Sequence, residues 1–419
     1  TGDSLSGLAI VGNAANSSTQ GQWQYSIDGT TWASVGTVTD GATALALSAS
    51  TLVRFVPVLG FVGTPPSLTV RALDSTYSGT FSTNTTLASV NTTSNGGTTA
   101  IAGTTVTLDT SVTKGSPNNL LWRNGSLDSV QTGTGENAVW RLNNFTLQSG
   151  YYIPTVTDLN WQIITTADFN RDGNADILWR NRVSGANVIW QMNSKTFQSG
   201  YFIPTVADLN WQIITTADFN RDGTPDIVWR NRATGENAIW QMNGFSLQSA
   251  SYVTTVADLN WQIVGAADFN GDGAADLLWR NKATSQNGIW RMNGATTQTT
   301  YYIGSTSGTN WQVAGTADFN GDGTSDIVWR NQATGENALW QMNSTGLQSG
   351  YYLPTTADLN WQIAGVADFG GDTTPDILWR NQTAGKVGIW ELSGFSYVQA
   401  HQLPDVPRDW TVRPYAAPV

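Results

Sequence analysis

Residues 168–181 read DFNRDGNADILWRN, and the same phrase returns as DFNRDGTPDIVWRN from Asp218, DFNGDGAADLLWRN from Asp268 and DFNGDGTSDIVWRN from Asp318. Its first half places oxygen-bearing side chains at positions 1, 3 and 5, a glycine at position 6 and a further aspartate at position 9. Alternate side chains of a tight loop converge on one point, and glycine permits the turn that brings them there. Its second half is a six-residue run with an apolar centre, too short for a helix and rich in Ile, Val, Leu and Trp, which is the composition of a strand.

Working outward, the phrase belongs to a fifty-residue period. Trp161, Trp211, Trp261, Trp311 and Trp361 keep that step, as do Trp179 to Trp379 and Trp190 to Trp390. Each period holds four short apolar runs; from Trp161 they are WQIITTADF, DILWRN, NVIWQMN and a stretch around YFIPTV, separated by Gly, Asn and Asp. Four strands in 40 to 50 residues make one blade of a β-propeller. The second strand occurs six times, at Trp122, Trp179, Trp229, Trp279, Trp329 and Trp379, and the third strand six times, from Trp140 to Trp390. The first strand occurs at Trp161 to Trp361 and, slightly shifted, at Trp410. The array thus opens on a second strand and ends on a first strand. The expected fold is all-β: a six-bladed propeller of four-stranded blades, over residues 113–419, whose C-terminal strand completes the first blade and hides the edges of an open array. Residues 1–112 lie outside the period. QWQYSIDGTTWASV reads as a hairpin with an Asp28-Gly29 turn, TLVRFVPV and SLTVRAL alternate, a polar stretch covers 75 to 100, and TTVTLDT closes the segment. Together they predict a small antiparallel β-sandwich.

The acidic loop suits a hard cation. Candidate ligands are the side chains of Asp168, Asn170, Asp172 and Asp176 with the carbonyl of Asn174, then Asp218, Asn220, Asp222 and Asp226 with Thr224. The third and fourth sets are Asp268, Asn270, Asp272 and Asp276 with Ala274, and Asp318, Asn320, Asp322 and Asp326 with Thr324. Oxygen-only ligands on a flexible loop favour Ca2+ at about 2.3–2.6 Å. An EF-hand is excluded, because position 12 is Trp179 rather than a bidentate Glu and the flanks are strands. The bland alternative is a solvated Asp/Asn turn, which four copies at one phase of the period disfavour. The fifth loop, DFGGDTTPD from Asp368, has Gly370 for a ligand and Thr373 for the turn glycine, so weak or no binding is expected there. The first period offers KGSPNNLLW, with Gly115 and Asn119 where carboxylates stand elsewhere, and no ion is expected. Four Ca2+ carry eight positive charges against a net charge of −11. At about 1 mM calcium and a Kd of about 0.1 mM each site adds about 1.4 kcal/mol, so calcium is expected to be structural.

The combined loop and strand resemble the FG-GAP/VCBS repeat of integrin α-subunit propellers, some fungal lectins and many large bacterial surface proteins. The resemblance covers roughly residues 118 to 416. It implies a propeller with Ca2+ held between the first and second strands of a blade by Asp168, Asn170, Asp172 and Asp176 and their counterparts. The count departs from it: integrin-like rings have seven blades and six are counted here, a seventh coming only if the N-terminal segment supplies it. RFVPVLGFVGTPPSLTVRALD is similar, in part, to the cadherin-like Ig-fold modules of bacterial adhesins.

Composition narrows the function classes. The balance of 20 Lys+Arg against 31 Asp+Glu argues against nucleic acid, which needs a basic face. With no Cys, disulfides and thiol chemistry are excluded, and a single His, His401, excludes a His-rich metal cluster. No run of 18 apolar residues exists, so no membrane-spanning helix or insertion is expected. No signal peptide is read at Thr1, and since a processed or excised piece would begin the same way, that start is no argument for a cytoplasmic home. His401 lacks a nucleophile partner. Asp158, Asp208, Asp258 and Asp358 recur before the first strand, which speaks for turn capping. A near-uniform ring lacks the asymmetric site an enzyme needs, so no catalysis is expected. The repeated Trp are mainly core. Arg180, Asn181, Gln191 and Asn193 and their counterparts either line six polar-aromatic clefts for a multivalent glycan binder or hydrogen-bond one blade to the next. The expected role is calcium-stabilised binding or adhesion at a bacterial cell surface, toward glycans or other cell-surface or matrix components. The alternative is a self-associating subunit of a surface layer or filament. An enzyme is the third reading.

Overall fold

A strand whose two faces are both covered is apolar without alternation, and DILWRN is such a strand. In the computed structural model, Asp176–Asn181 is buried at every position. Ile177 and Trp179 face one neighbouring sheet and Leu178 faces the other. The structure describes residues 4–28, 31–57, 64–110, 119–125 and 133–415, and among them there is no helix. The chain divides into two compact units, up to Lys114 and from Gly115 to Pro418.

In the second unit the described residues form six four-stranded antiparallel sheets. Sheet two is Trp161–Ala167, Asp176–Asn181, Asn187–Asn193 and Thr196–Ile203, in that spatial order. Sheets three to six repeat it over 211–253, 261–305, 311–353 and 361–403. Register repeats as well: Trp161 faces Asn181, Ala167 faces Asp176, and a shift between Ile163 and Thr165 recurs at the same place in every copy. Sheet one is Asn119–Asn124, Asn137–Asn143 and Thr146–Ile153, with the C-terminal strand Trp410–Tyr415 paired antiparallel to Asn119–Asn124. Apolar cores sit between consecutive sheets. One joins Phe169, Leu178 and Ile189 of sheet two to Ile227, Trp229 and Met242 of sheet three. Another joins Phe369, Leu378 and Ile389 of sheet six to Leu120, Trp122 and Leu142 of sheet one.

The first unit has a five-stranded sheet, containing Leu5–Asn13, Ala44–Ser48, Leu68–Asp74, Ser89–Val90 and Val106–Leu108. Its three-stranded sheet holds Gly21–Ser26, Ala33–Ser34 and Leu52–Pro57. Ile10, Leu45, Leu47 and Val70 of the first pack with Trp23 and Tyr25 of the second. The strand Leu5–Asn13, interrupted by Gly7 and Gly12, pairs with both Ala44–Ser48 and Leu68–Asp74 and was not evident in the sequence. Gly29 of the expected Asp28-Gly29 turn lies outside the described residues, as does Gly115 of the first-period loop.

Candidate functional site

Each acidic loop joins the first strand of its sheet to the second. In sheet two the Asp168 carboxylate accepts from the amides of Gly173 (2.8 Å) and Asp172 (3.1 Å), which folds the loop back on itself. Asp172 accepts from the Asn174 amide at 2.8 Å and from the Asn170 side chain at 2.8 Å. Gly173, Gly223, Gly273 and Gly323 all take φ between 81° and 85°, the left-handed region that the motif's glycine was expected to supply. The closing bond from position 6 to the first aspartate recurs at 2.7–2.8 Å in the loops of Asp218, Asp268 and Asp318.

The ninth position carries a role the sequence did not reveal. Asp176 is fully buried, and its carboxylate accepts from the Phe169 amide (3.0 Å) and from the Met192 amide of the third strand (2.9 Å). It therefore fixes the loop onto its sheet. Burial pushes Asp176 up to about 7 despite these two bonds, and the charges of Asp168 and Asp172 add to the rise. Asp226, Asp276 and Asp326 sit alike, at about 7, for the same first cause. Asp168 is raised by burial and by its neighbour Asp172. The charges of Asp168 and Asp172 thus act on the buried Asp176, and carboxylate and amide oxygens are the donor types that suit a hard divalent cation. Among the described residues no three acidic or His side chains stand in a metal-holding arrangement; the carboxylates of Asp168 and Asp172 accept instead from the loop's own amides.

The fifth loop keeps the turn without the glycine. Thr373 takes φ 82° and donates to Asp368 at 3.1 Å, so a β-branched residue occupies the left-handed region. Gly370 is more than a missing ligand. A Cβ there would lie 2.6 Å from Cζ of Phe145, whose ring reaches across from sheet one and stacks on His401 at 4.1 Å. His401 also bonds Glu391 at 2.7 Å, a packing role.

Neighbouring loops touch. The Ala275 amide donates to the Asp218 carbonyl, and the Ser325 amide to that of Asp268, each at 2.8 Å. Arg221 pairs with Asp272 at 2.7 Å. Burial raises Asp272, but the Arg221 guanidinium and the Ala274 amide outweigh it and hold the carboxyl below its ordinary value. Asp158 caps its turn as expected, accepting from the Asn160 amide at 3.0 Å.

The polar-aromatic strings form the seams between sheets. Buried Arg180 donates to the Gly185 carbonyl and Asn187 in its own sheet, and to the Val206 and Trp211 carbonyls beyond it, at 2.9–3.1 Å. Its guanidinium lies 4.9 Å from the ring of Trp229 in sheet three. The same stacking runs from Arg123 to Trp179, Arg230 to Trp279, Arg280 to Trp329, Arg330 to Trp379 and Arg380 to Trp122. Asn181 is buried as well and binds Asp158. Arg180 and Asn181 are therefore committed to packing rather than to an open cleft. Gln191 accepts from the Tyr201 hydroxyl at 3.2 Å, and Asn193 is exposed.

What is exposed, and was not anticipated, is an aromatic ring at one repeated position of the outer strand in sheets one to five; sheet six has Gln402 there. Tyr152, Phe202, Tyr252 and Tyr352 are 74–75% exposed and Tyr302 is 57% exposed. Four of them meet the tryptophan that opens their sheet's first strand at 6.0–6.4 Å: Tyr152 with Trp410, Phe202 with Trp161, Tyr252 with Trp211 and Tyr352 with Trp311.

The FG-GAP-like repeat family matches residues 168–229, 218–279, 268–329 and 318–379, which together cover just over half of the chain. Among solved structures, a chain of a nidogen/laminin complex is 11% identical with a TM-score of 0.46, over 71% of this chain and 96% of that one. An auxiliary nutrient binding protein from Bacteroides thetaiotaomicron is 9% identical with a TM-score of 0.40, over 94% and 81%. The Dos1 propeller is 8% identical with a TM-score of 0.38, over 68% and 81%. No curated protein matches the chain.

Proposed function

The chain belongs to the FG-GAP-like repeat family, and from that premise we propose a calcium-stabilised, six-bladed closed propeller, preceded by a β-sandwich, that serves as an extracellular binding or adhesion protein for glycans. The observation that carries the binding reading is the row of exposed rings on the outer strands, from Tyr152 to Tyr352. Large aromatic faces repeated at one position offer many weak contacts to a repetitive ligand, and linked weak sites add up to avidity. Aromatic faces also suit the C–H surface of a pyranose ring. Closure is supported by the Arg–Trp ladder, in which Arg380 of sheet six stacks on Trp122 of sheet one as every other Arg stacks on its neighbour's Trp. The core shared by sheets six and one supports it too.

Calcium would be held by Asp168, Asn170, Asp172 and Asp176 with the Asn174 carbonyl, and by the same positions of the next three loops. Bound there, the ion supplies charge neutralisation and a tie between first and second strands. The chain's own residues do the rest: the buried ninth-position aspartates clamp each loop to the third strand, and loop-to-loop bonds line the loops up in series. The seams and loops of the described residues repeat from sheet to sheet, which supports a binding role over an enzymatic one.

A glycan array, run with and without calcium, tests the reading. Binding that free sugar competes away and a chelator weakens is the expected result. A chain that retains no glycan, or that instead assembles into ordered filaments, contradicts it.

A further inference from the structure

Sheet four departs from its siblings at the face that carries the exposed ring. Position 288 is glycine, where Ala138, Val188, Ala238 and Ala338 occupy the matching place in sheets one, two, three and five. Those four are buried, whereas Gly288 is half-buried. Further along, Gly304 at φ 106° replaces the proline of positions 154, 204 and 354, and the outer strand lengthens to Thr296–Ser305. The Tyr302 hydroxyl now bonds Ser305. Trp261 and Tyr302 do not make the ring contact that their counterparts make in sheets one, two, three and five. A cavity of about 330 Å3 opens between them, lined also by Trp279, Gln286, Trp290 and Thr300. Sheet six carries a glycine at the same position, Gly388, but there Gln402 donates to the Val387 carbonyl at 2.7 Å and Gly388 is buried.

We propose that this cavity binds one neutral hexopyranose unit of a glycan, with Trp290, Trp261 and Tyr302 as its aromatic walls. The proposal deepens the glycan-binding reading above and rests on it. Three features of the cavity select the ligand. Its size falls at the lower end of small-molecule sites, about 300–1,000 Å3, which fits one ring rather than an extended chain. Its walls are aromatic faces, and its rim offers the neutral hydrogen-bonding side chains of Gln286 and Thr300 for hydroxyl groups. No residue lining it is charged, so a phosphorylated, uronic or sialylated unit finds no cation to pair with. The indole of Trp279 lies in the same wall, its N–H buried and without a hydrogen-bond partner as in the five equivalent tryptophans, so it does not set this cavity apart.

Gly288→Val tests the site. The change recreates what sheet two has at Val188. A Cβ at Gly288 meets only the Tyr301 carbonyl within 4 Å, at 3.2 Å, a tight contact that the backbone must relieve by a small shift, and the buried Ala or Val at this position of four sibling sheets is accommodated. Tryptophan fluorescence and saturation-transfer NMR would follow titrations with the methyl glycosides of glucose, galactose, mannose and N-acetylglucosamine. Gly388→Val serves as the control in a sheet whose glycine is covered. The expected result is saturable binding of at least one glycoside at one site per chain. Affinity falls at least tenfold in Gly288→Val, stays unchanged in Gly388→Val, and thermal unfolding of all three is alike. Equal binding by Gly288→Val and the parent overturns the proposal, as does a parent that no glycoside saturates. The two levels separate on the array: glycans still captured by Gly288→Val leave the general reading standing and remove this site, while a parent chain that captures none removes both.

Discussion

Restoring the missing ligand of the fifth loop, Gly370→Asn, should harm the protein. Read by motif alone, the substitution repairs a calcium site. In space it drives a Cβ to 2.6 Å from Cζ and 2.9 Å from Cε2 of Phe145, where non-bonded carbons prefer about 3.5–4.0 Å. The ring cannot swing away freely, because it is 5% exposed and stacked on His401 with an interplanar angle of 5°. Overpacking of this kind costs about 1–3 kcal/mol. Urea unfolding in the presence of a chelator isolates that cost from any gain in metal binding. Phe145→Thr, which copies Thr345 in sheet five, should remove the conflict, so the double variant should recover about 1–3 kcal/mol relative to the sum of the singles. A Gly370→Asn protein as stable as its parent, or single effects that simply add, refutes the claim that Phe145 fills this space.

Thr373→Gly should stabilise by about 1 kcal/mol in thermal unfolding, since relief of about 1–3 kcal/mol of left-handed strain exceeds the 0.5–1 kcal/mol entropic cost of glycine; φ at this residue is 82°. Arg230→Lys should destabilise by at least about 3 kcal/mol in urea, because one ammonium cannot replace a fork that reaches four acceptors at 2.8–3.2 Å and stacks on Trp279. The chelated protein should lose stability between pH 4 and pH 7. Burial raises the folded-state values of Asp176, Asp226, Asp276, Asp326 and Asp376 to about 7, so the advantage of their neutral forms is complete below the unfolded value near 4 and disappears as pH climbs through 7. Calcium favours the ionised forms, and adding it should flatten that slope in pH-dependent denaturation curves.

The repeat was legible because its signals are local. A strand buried on both faces writes itself as DILWRN, and a tight turn writes itself as Asp-x-Asn-x-Asp-Gly. Seam chemistry was legible only as an alternative: the arginine after each buried tryptophan spans two sheets, and its acceptors lie up to 38 residues away in the chain. Gly370 was misleading for the same reason, since the ring that excludes a side chain there comes from residue 145. The exposed rings from Tyr152 to Tyr352 were invisible because YYI and YFI are equally good core strands, and only the position of the strand at the sheet's outer edge turns one ring outward. In the first unit, Gly7 and Gly12 broke the pattern of a strand that two partners nonetheless hold.

Calorimetric titration of the chelator-stripped chain with Ca2+, followed by thermal unfolding of the loaded form, tests the central claim most directly. The account predicts saturation near four ions per chain, one for each intact loop, and a clear rise in the unfolding midpoint. Absence of binding heat with an unmoved midpoint would contradict it.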